Sequence, residues 1–188
     1  MEIIVLSGDN LPAAAEVHAI SWRDSHREIC SPEFVAAHTT ERQEAYLRGK
    51  LAEGSEIWLL TDGGRALGVA SLTGSLIADL YVLPAERGKG YGSALLRFLL
   101  GRCPETPRLW ILETNRGAER LYRRFGFRLT GKREVHPGGV DEVEMAKVYN
   151  TTAAGRRPCR RAASMGFYRL FSVRLMRSSW QSRESSLK

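Results

Sequence analysis

The chain has 188 residues, 43% hydrophobic and 26% charged, enough for one soluble domain with its own core, and no apolar run approaches the roughly 18 residues of a membrane span. Its net charge of +7 sits at one end: residues 151–188 carry nine of the 28 Lys and Arg against the single acid Glu184, leaving 19 basic and 20 acidic groups before them. That distribution argues against a nucleic-acid surface on the main body and leaves one open only for the tail.

In chain order, residues 1–7 read as a strand. "GDNLP" then places cap-like Asp9 or Asn10 before a helix over 11–27, with Pro12 in its first turn. Ser31 and Pro32 restart a helix that runs to about residue 51. "GSEIWLLTDGGRALGVASL" predicts two strands around the turn Gly63-Gly64, and "LIADLYVL" a third, broken by Pro84. A helix over 93–102 presents Ala94, Leu95, Phe98 and Leu99 on one face. After the strand "RLWILET", Ala118, Leu121, Tyr122 and Phe125 keep helical spacing, and Gly126 closes that helix. Last strands are expected at 127–132 and 142–148. The early hairpin excludes strict strand–helix alternation and predicts an α/β (α+β) fold, a mixed sheet with helices on both faces. Residues from 150 onward form a basic tail that is assigned no element.

Three glycines, Gly88, Gly90 and Gly92, fall within five residues just before a helix in "LPAERGKGYGSALL". Bare backbone at a helix N-terminus aims several N–H groups and the positive end of the helix dipole at one point, which suits an anion. The spacing is not that of a P-loop, because Lys89 is followed by Gly90 rather than Ser or Thr. Nor is it the GxGxxG of a dinucleotide fold, since it follows at least three strands.

"LYVLPAERGKGYGSALL" together with "LWILETNRGAERLYRRFGF" resembles the Gcn5-related N-acetyltransferase (GNAT) superfamily. Arg87, Gly90 and Gly92 fill its Q/RxxGxG/A hallmark, and Asn115, Ala118, Tyr122, Gly126 and Phe127 its second motif. The resemblance implies a single domain over 1–149 with a mostly antiparallel sheet of about seven strands and a gap between two splayed parallel strands. It also implies an acetyl-CoA-dependent N-acetyltransferase acting on the primary amine of a small molecule or peptide. In that reading the backbone at Leu80 and Val82 pairs with the pantetheine arm, and Arg87, Gly88, Lys89, Gly90, Tyr91, Gly92 and Ser93 hold the pyrophosphate. Asn115 lies near the pantetheine or the acceptor, or caps the helix after it.

The resemblance also implies that Tyr122 protonates the departing thiolate, with Glu113 and Asp79 as candidate bases acting through water. Trp22, His26 and Phe34, with Ser25 and His136, are candidates for the acceptor pocket. The competing readings are a CoA-binding module without catalysis and a tail that binds nucleic acid or an acidic surface.

No metal is expected, because His18 and His26 stand eight apart while His38 and His136 are isolated. Cys30, Cys103 and Cys159 match neither a disulfide framework nor a metal knuckle. Glu2 at the start, where a signal peptide would be basic, points to a cytoplasmic protein with no membrane partner, either monomer or homodimer.

Overall fold

The structure, a computed structural model, describes residues 1–135 and 141–149; the expectations for His136, Cys159 and the tail lie outside them. Seven strands form one sheet: β1 (Glu2–Val5), β2 (Glu56–Asp62), β3 (Arg65–Thr73), β4 (Leu76–Val82), β5 (Arg108–Leu112), β6 (Phe127–Val135) and β7 (Asp141–Lys147). Their spatial order is β1-β2-β3-β4-β5-β7-β6, and only β4 and β5 run parallel. The helices are α1 (Leu11–His26), α2 (Pro32–Ala36), α3 (Thr40–Ala52), α4 (Tyr91–Leu100) and α5 (Arg116–Arg124).

Strand alternation separates two apolar layers. Trp58 and Leu60 of β2 join Leu95, Leu96 and Leu99 of α4 and Tyr122 of α5, whereas Ile57 and Leu59 join α1 and Leu47 of α3. Helices therefore cover both faces, as expected from the sequence.

The single helix predicted from Pro32 to about residue 51 is two. Thr39 leaves the helical path and its hydroxyl accepts from the Arg42 amide (3.3 Å), capping α3, while Ser31 caps α2 through the Phe34 amide (3.2 Å). Asn10 occupies the N-cap position of α1 but turns its side chain back, accepting from the Ser7 amide and donating to the Val5 carbonyl.

The parallel pair touches only at its start, Leu76 opposite Arg108 and Ile77 opposite Leu109. Immediately afterwards the β3–β4 register jumps from Leu72–Ile77 to Ser71–Asp79, leaving Ala78 as an extra residue. Such a bulge bends its strand, and β4 stays with β3 while β5 stays with β7 through Leu112–Glu142. A wedge opens between residues 79–82 and 110–112, and α4 and α5 begin just past its two sides.

Candidate active site

The mouth of the wedge is the glycine loop. After a 3-10 turn at Pro84–Glu86, Gly88 and Gly90 adopt φ of +80° and +95°, and Gly90 is the residue from which α4 starts. The first helical bond of α4 runs from the Ala94 amide to the Gly90 carbonyl (3.0 Å), so the amides of Tyr91, Gly92 and Ser93 precede any intrahelical acceptor. Gly92 has ordinary helical geometry. A Cβ there would meet Leu121, Val82 and Leu80 at 3.5–4.0 Å, which places an apolar strip beside the cradle of amides.

The glycines therefore serve two purposes, and substitution separates them. Gly90→Ala faces open space but a left-handed backbone, costing about 1–2 kcal/mol. At roughly 2–4 °C per kcal/mol it should lower the melting temperature by about 2–8 °C and weaken CoA binding at least tenfold as the amides turn away. Gly92→Ala should leave both close to native. Differential scanning fluorimetry and titration calorimetry on the two variants check this.

Charged side chains around the loop are engaged with protein partners. Arg87 pairs with Asp24 of α1 (2.5 Å), and Lys89 with Glu86 (2.8 Å). Both cations are about half exposed, and such pairs contribute so little that exchange for a phosphate costs little. The Tyr91 hydroxyl donates to Asp62 (2.8 Å), leaving its backbone amide as the group at the cradle. Across the wedge, Asn115 caps α5 by accepting from the Ala118 amide (3.0 Å), so the capping alternative is realised.

Tyr122 is buried on α5 against Phe127, with ring centroids 5.7 Å apart. Among the described residues no protein group hydrogen-bonds its hydroxyl, which is nevertheless absent from the fully buried unpartnered atoms. Burial first, and the Asp79 charge second, push this phenol well above its ordinary pKa. It is therefore a protonated donor at any physiological pH.

The two candidate bases have different surroundings. Glu113, 40% exposed, is gripped by both Arg133 nitrogens (2.5 and 3.0 Å), and Asp141 shares that guanidinium. Asp79 is buried on the α1–α3 side of β4. It receives Lys50 Nζ (3.1 Å), His18 Nε2 (3.2 Å), the Tyr46 hydroxyl (3.2 Å) and the Ser71 hydroxyl. Burial alone would raise its pKa, but Lys50 and the bonds from His18 and Ser71 outweigh it and hold the carboxylate far below its usual range. Neither carboxylate is a free base.

Three partners in this cluster, His18, Tyr46 and Lys50, were not picked out in the sequence as one group. The signal was an acid inside the apolar run "LIADLYVL", since a buried carboxylate requires compensation from elsewhere. Tyr81 was also missed. Its ring meets His18 edge-on at 4.7 Å, and burial, then Asp79, Glu142 and Tyr122, push its phenol up.

Trp22, His26 and Phe34 do come together, but Trp22 is only 3% exposed and lies parallel between the rings of His26 (3.9 Å) and His38 (3.4 Å). Phe34 is tilted against it at 6.0 Å. Both faces of the indole are thus covered, and the stack joins α1 to the segment after α2. Burial pushes His38 down to about 4, so the stack is neutral there at pH 7.

The mixed sheet is thus opened between its parallel strands, with the amides of residues 91–93 at the mouth. The acetyltransferase (GNAT) family model matches residues 22–127, and the chain belongs to that family. Over 96 residues it is 35% identical to mycothiol acetyltransferase of Streptomyces coelicolor, covering 48% of this chain but only 31% of that protein's length. Over 104 residues it is 29% identical to the peptidyl-lysine N-acetyltransferase YjaB of Escherichia coli, covering 55% of this chain and 69% of that one.

The fold is shared with the ribosomal-protein-alanine N-acetyltransferase of Brucella melitensis (TM-score 0.62, 21% identity, 79% of this chain, 100% of that chain). It is also shared with the PaiA N-acetyltransferase of Thermoplasma acidophilum, solved in complex with coenzyme A (TM-score 0.59, 19% identity, 79% of this chain, 100% of that chain). No described helix is long and apolar enough to cross a membrane.

Proposed function

We propose that residues 1–149 form an acetyl-CoA-dependent N-acetyltransferase that acts on the primary amine of a small molecule or peptide by direct attack on the thioester. The observation that carries this is the wedge itself, with the anion cradle at its mouth and, on α5, the hydroxyl of Tyr122, which has no hydrogen-bond partner among the described residues. The residues fit the co-substrate: amides 91–93 suit a pyrophosphate, the strip of Leu80, Val82 and Leu121 suits an extended chain, and the unpaired edge of β4 offers strand-like hydrogen bonds. When bound, acetyl-CoA supplies the activated acyl group.

The chain's own residues do the rest. Backbone N–H groups near Val82 stabilise charge developing on the carbonyl oxygen, and Tyr122 gives its proton to the departing sulfur. A covalent detour through either described cysteine is unfavourable, because burial pushes the Cys103 thiol up to about 11 and raises that of Cys30 as well.

Thiol release from acetyl-CoA by the full chain tests this, with a panel containing a peptide α-amine, a peptide lysine and a linear polyamine. Amine-dependent release supports the reading; no release together with no acetyl-CoA binding overturns it. A second reading, a CoA-binding module without turnover, is favoured by the engagement of both Glu113 and Asp79. Tight binding, background rates of transfer and no effect of Tyr122→Phe would select it.

A further inference from the structure

We propose that His18 is the proton acceptor for the incoming amine, acting through a water lodged between His18 Nδ1 and Ser21 Oγ, with Asp79 as the positioning residue that fixes its tautomer. This rests on the acetyl-transfer reading above and supplies the base that neither Glu113 nor a free Asp79 provides.

The tautomer follows from the partners. Asp79 is an ionised carboxylate and only accepts, so His18 Nε2, 3.2 Å from its Oδ1, carries the hydrogen and leaves a lone pair on Nδ1. Lys50 already opposes the Asp79 charge at 3.1 Å. Among the described residues, His18 Nδ1 and Ser21 Oγ are the two fully buried side-chain polar atoms with no partner. They stand three residues apart on α1, about 5–6 Å between Cβ atoms, a spacing that one bridging water can satisfy.

Position supports the role. Tyr81, whose ring lies 4.7 Å from that of His18, is on β4 beyond the point where β4 parts from β5. Tyr81 packs in the layer of α1 and α3 with His18, whereas Tyr122 belongs to the layer of α4 and α5, so His18 and Tyr122 lie on opposite faces of the sheet. Tyr46 of α3 and Tyr81 of β4 pack on the His18 ring and Asp79 bonds it, while Lys50 of α3 and Ser71 of β3 share that carboxylate and His38 after α2 lies within electrostatic range. Burial pushes both tyrosine phenols up and His38 down to about 4, and Lys50 is bound to Asp79, so none of these four competes as a base.

The protons balance. The ammonium of the acceptor loses one proton through the water to Nδ1, and its nitrogen then forms the C–N bond. As the intermediate collapses the C–S bond breaks, sulfur takes the proton of Tyr122, and the second nitrogen proton returns to the Tyr122 oxygen. One proton leaves through His18.

The test uses the full chain and whichever of two probes it acetylates, a peptide with a free α-amine or one with a free lysine. His18→Gln should lower kcat/KM for the amine about 10²-fold at pH 7 while acetyl-CoA affinity stays native. The deficit should shrink about tenfold per pH unit as the amine's own pKa is approached, and imidazole should restore activity to His18→Ala. A deficit equal at every pH, or no deficit, overturns the proposal while leaving the acetyl-transfer reading standing. No turnover by the native chain overturns both. Independently of activity and of variant folding, 15N spectra of the native imidazole should show Nε2 protonated and Nδ1 bare at pH 7; a hydrogen on Nδ1 contradicts the proposal.

Discussion

Tyr122→Phe should lower kcat by about 10²- to 10³-fold while leaving acetyl-CoA affinity and the melting temperature close to native. The separation arises because the ring and the hydroxyl have different tasks. The ring fills the layer under α5 against Phe127, and phenylalanine keeps that volume. The hydroxyl makes no hydrogen bond to protein among the described residues, so its removal strands no partner. In the proposed mechanism its loss is felt only where a proton must reach sulfur. Steady-state kinetics at saturating acetyl-CoA and a thermal melt measure the two effects; a variant with native kcat would remove Tyr122 from the chemistry.

Asp79→Ala should destabilise the protein by about 3–5 kcal/mol, because it leaves the Lys50 ammonium buried without a counter-charge. Ser71 and Tyr46 lose their acceptor as well. At roughly 2–4 °C per kcal/mol for a chain of this size, the melting temperature should fall by about 6–20 °C.

The same carboxylate gives the native protein an acid-dependent stability. Asp79 in the folded state stays ionised below the unfolded carboxylate value of about 3.9, so the unfolded chain binds the proton first. Its contribution is complete above about pH 4 and drains away as the pH falls further toward the folded value. Urea midpoints at pH 7, 4 and 3 should show that acid limb in the native chain and a shallower one in Asp79→Ala. Equal limbs would mean that Asp79 is not the group held ionised.

What could be read from the sequence was whatever lies close along the chain. The glycine loop, the α5 stripe and the hairpin at Gly63-Gly64 depend on neighbouring residues, and each appears where its spacing places it. The break between α2 and α3 was also local, in "HTTERQ", where Thr39 caps, but the sequence reading ran one helix across it. The last strands differ only at their ends, with β6 reaching Val135 and β7 beginning at Asp141.

The wedge could be expected only from the family resemblance, because the bulge at Ala78 has no signature in "LIADLYVL". Least legible was the Asp79 cluster. His18, Tyr46, Lys50 and Ser71 come from three other elements, and in the sequence His18 was weighed only for its eight-residue spacing from His26. The aromatic candidates show the same limit: spacing gathered Trp22 and His26 on one helix, but His38 arrives from beyond α2 and closes the indole face.

Titration of the 15N-labelled full chain with acetyl-CoA, followed amide by amide, tests the proposed site most directly. The amides of residues 88–93 should move farthest and saturate together, with those of Leu80 and Val82 following as the open edge of β4 acquires hydrogen-bond partners. Saturable shifts confined to other surfaces, such as the side of β6 around Arg133, or no shifts at all, would contradict a coenzyme site in the wedge.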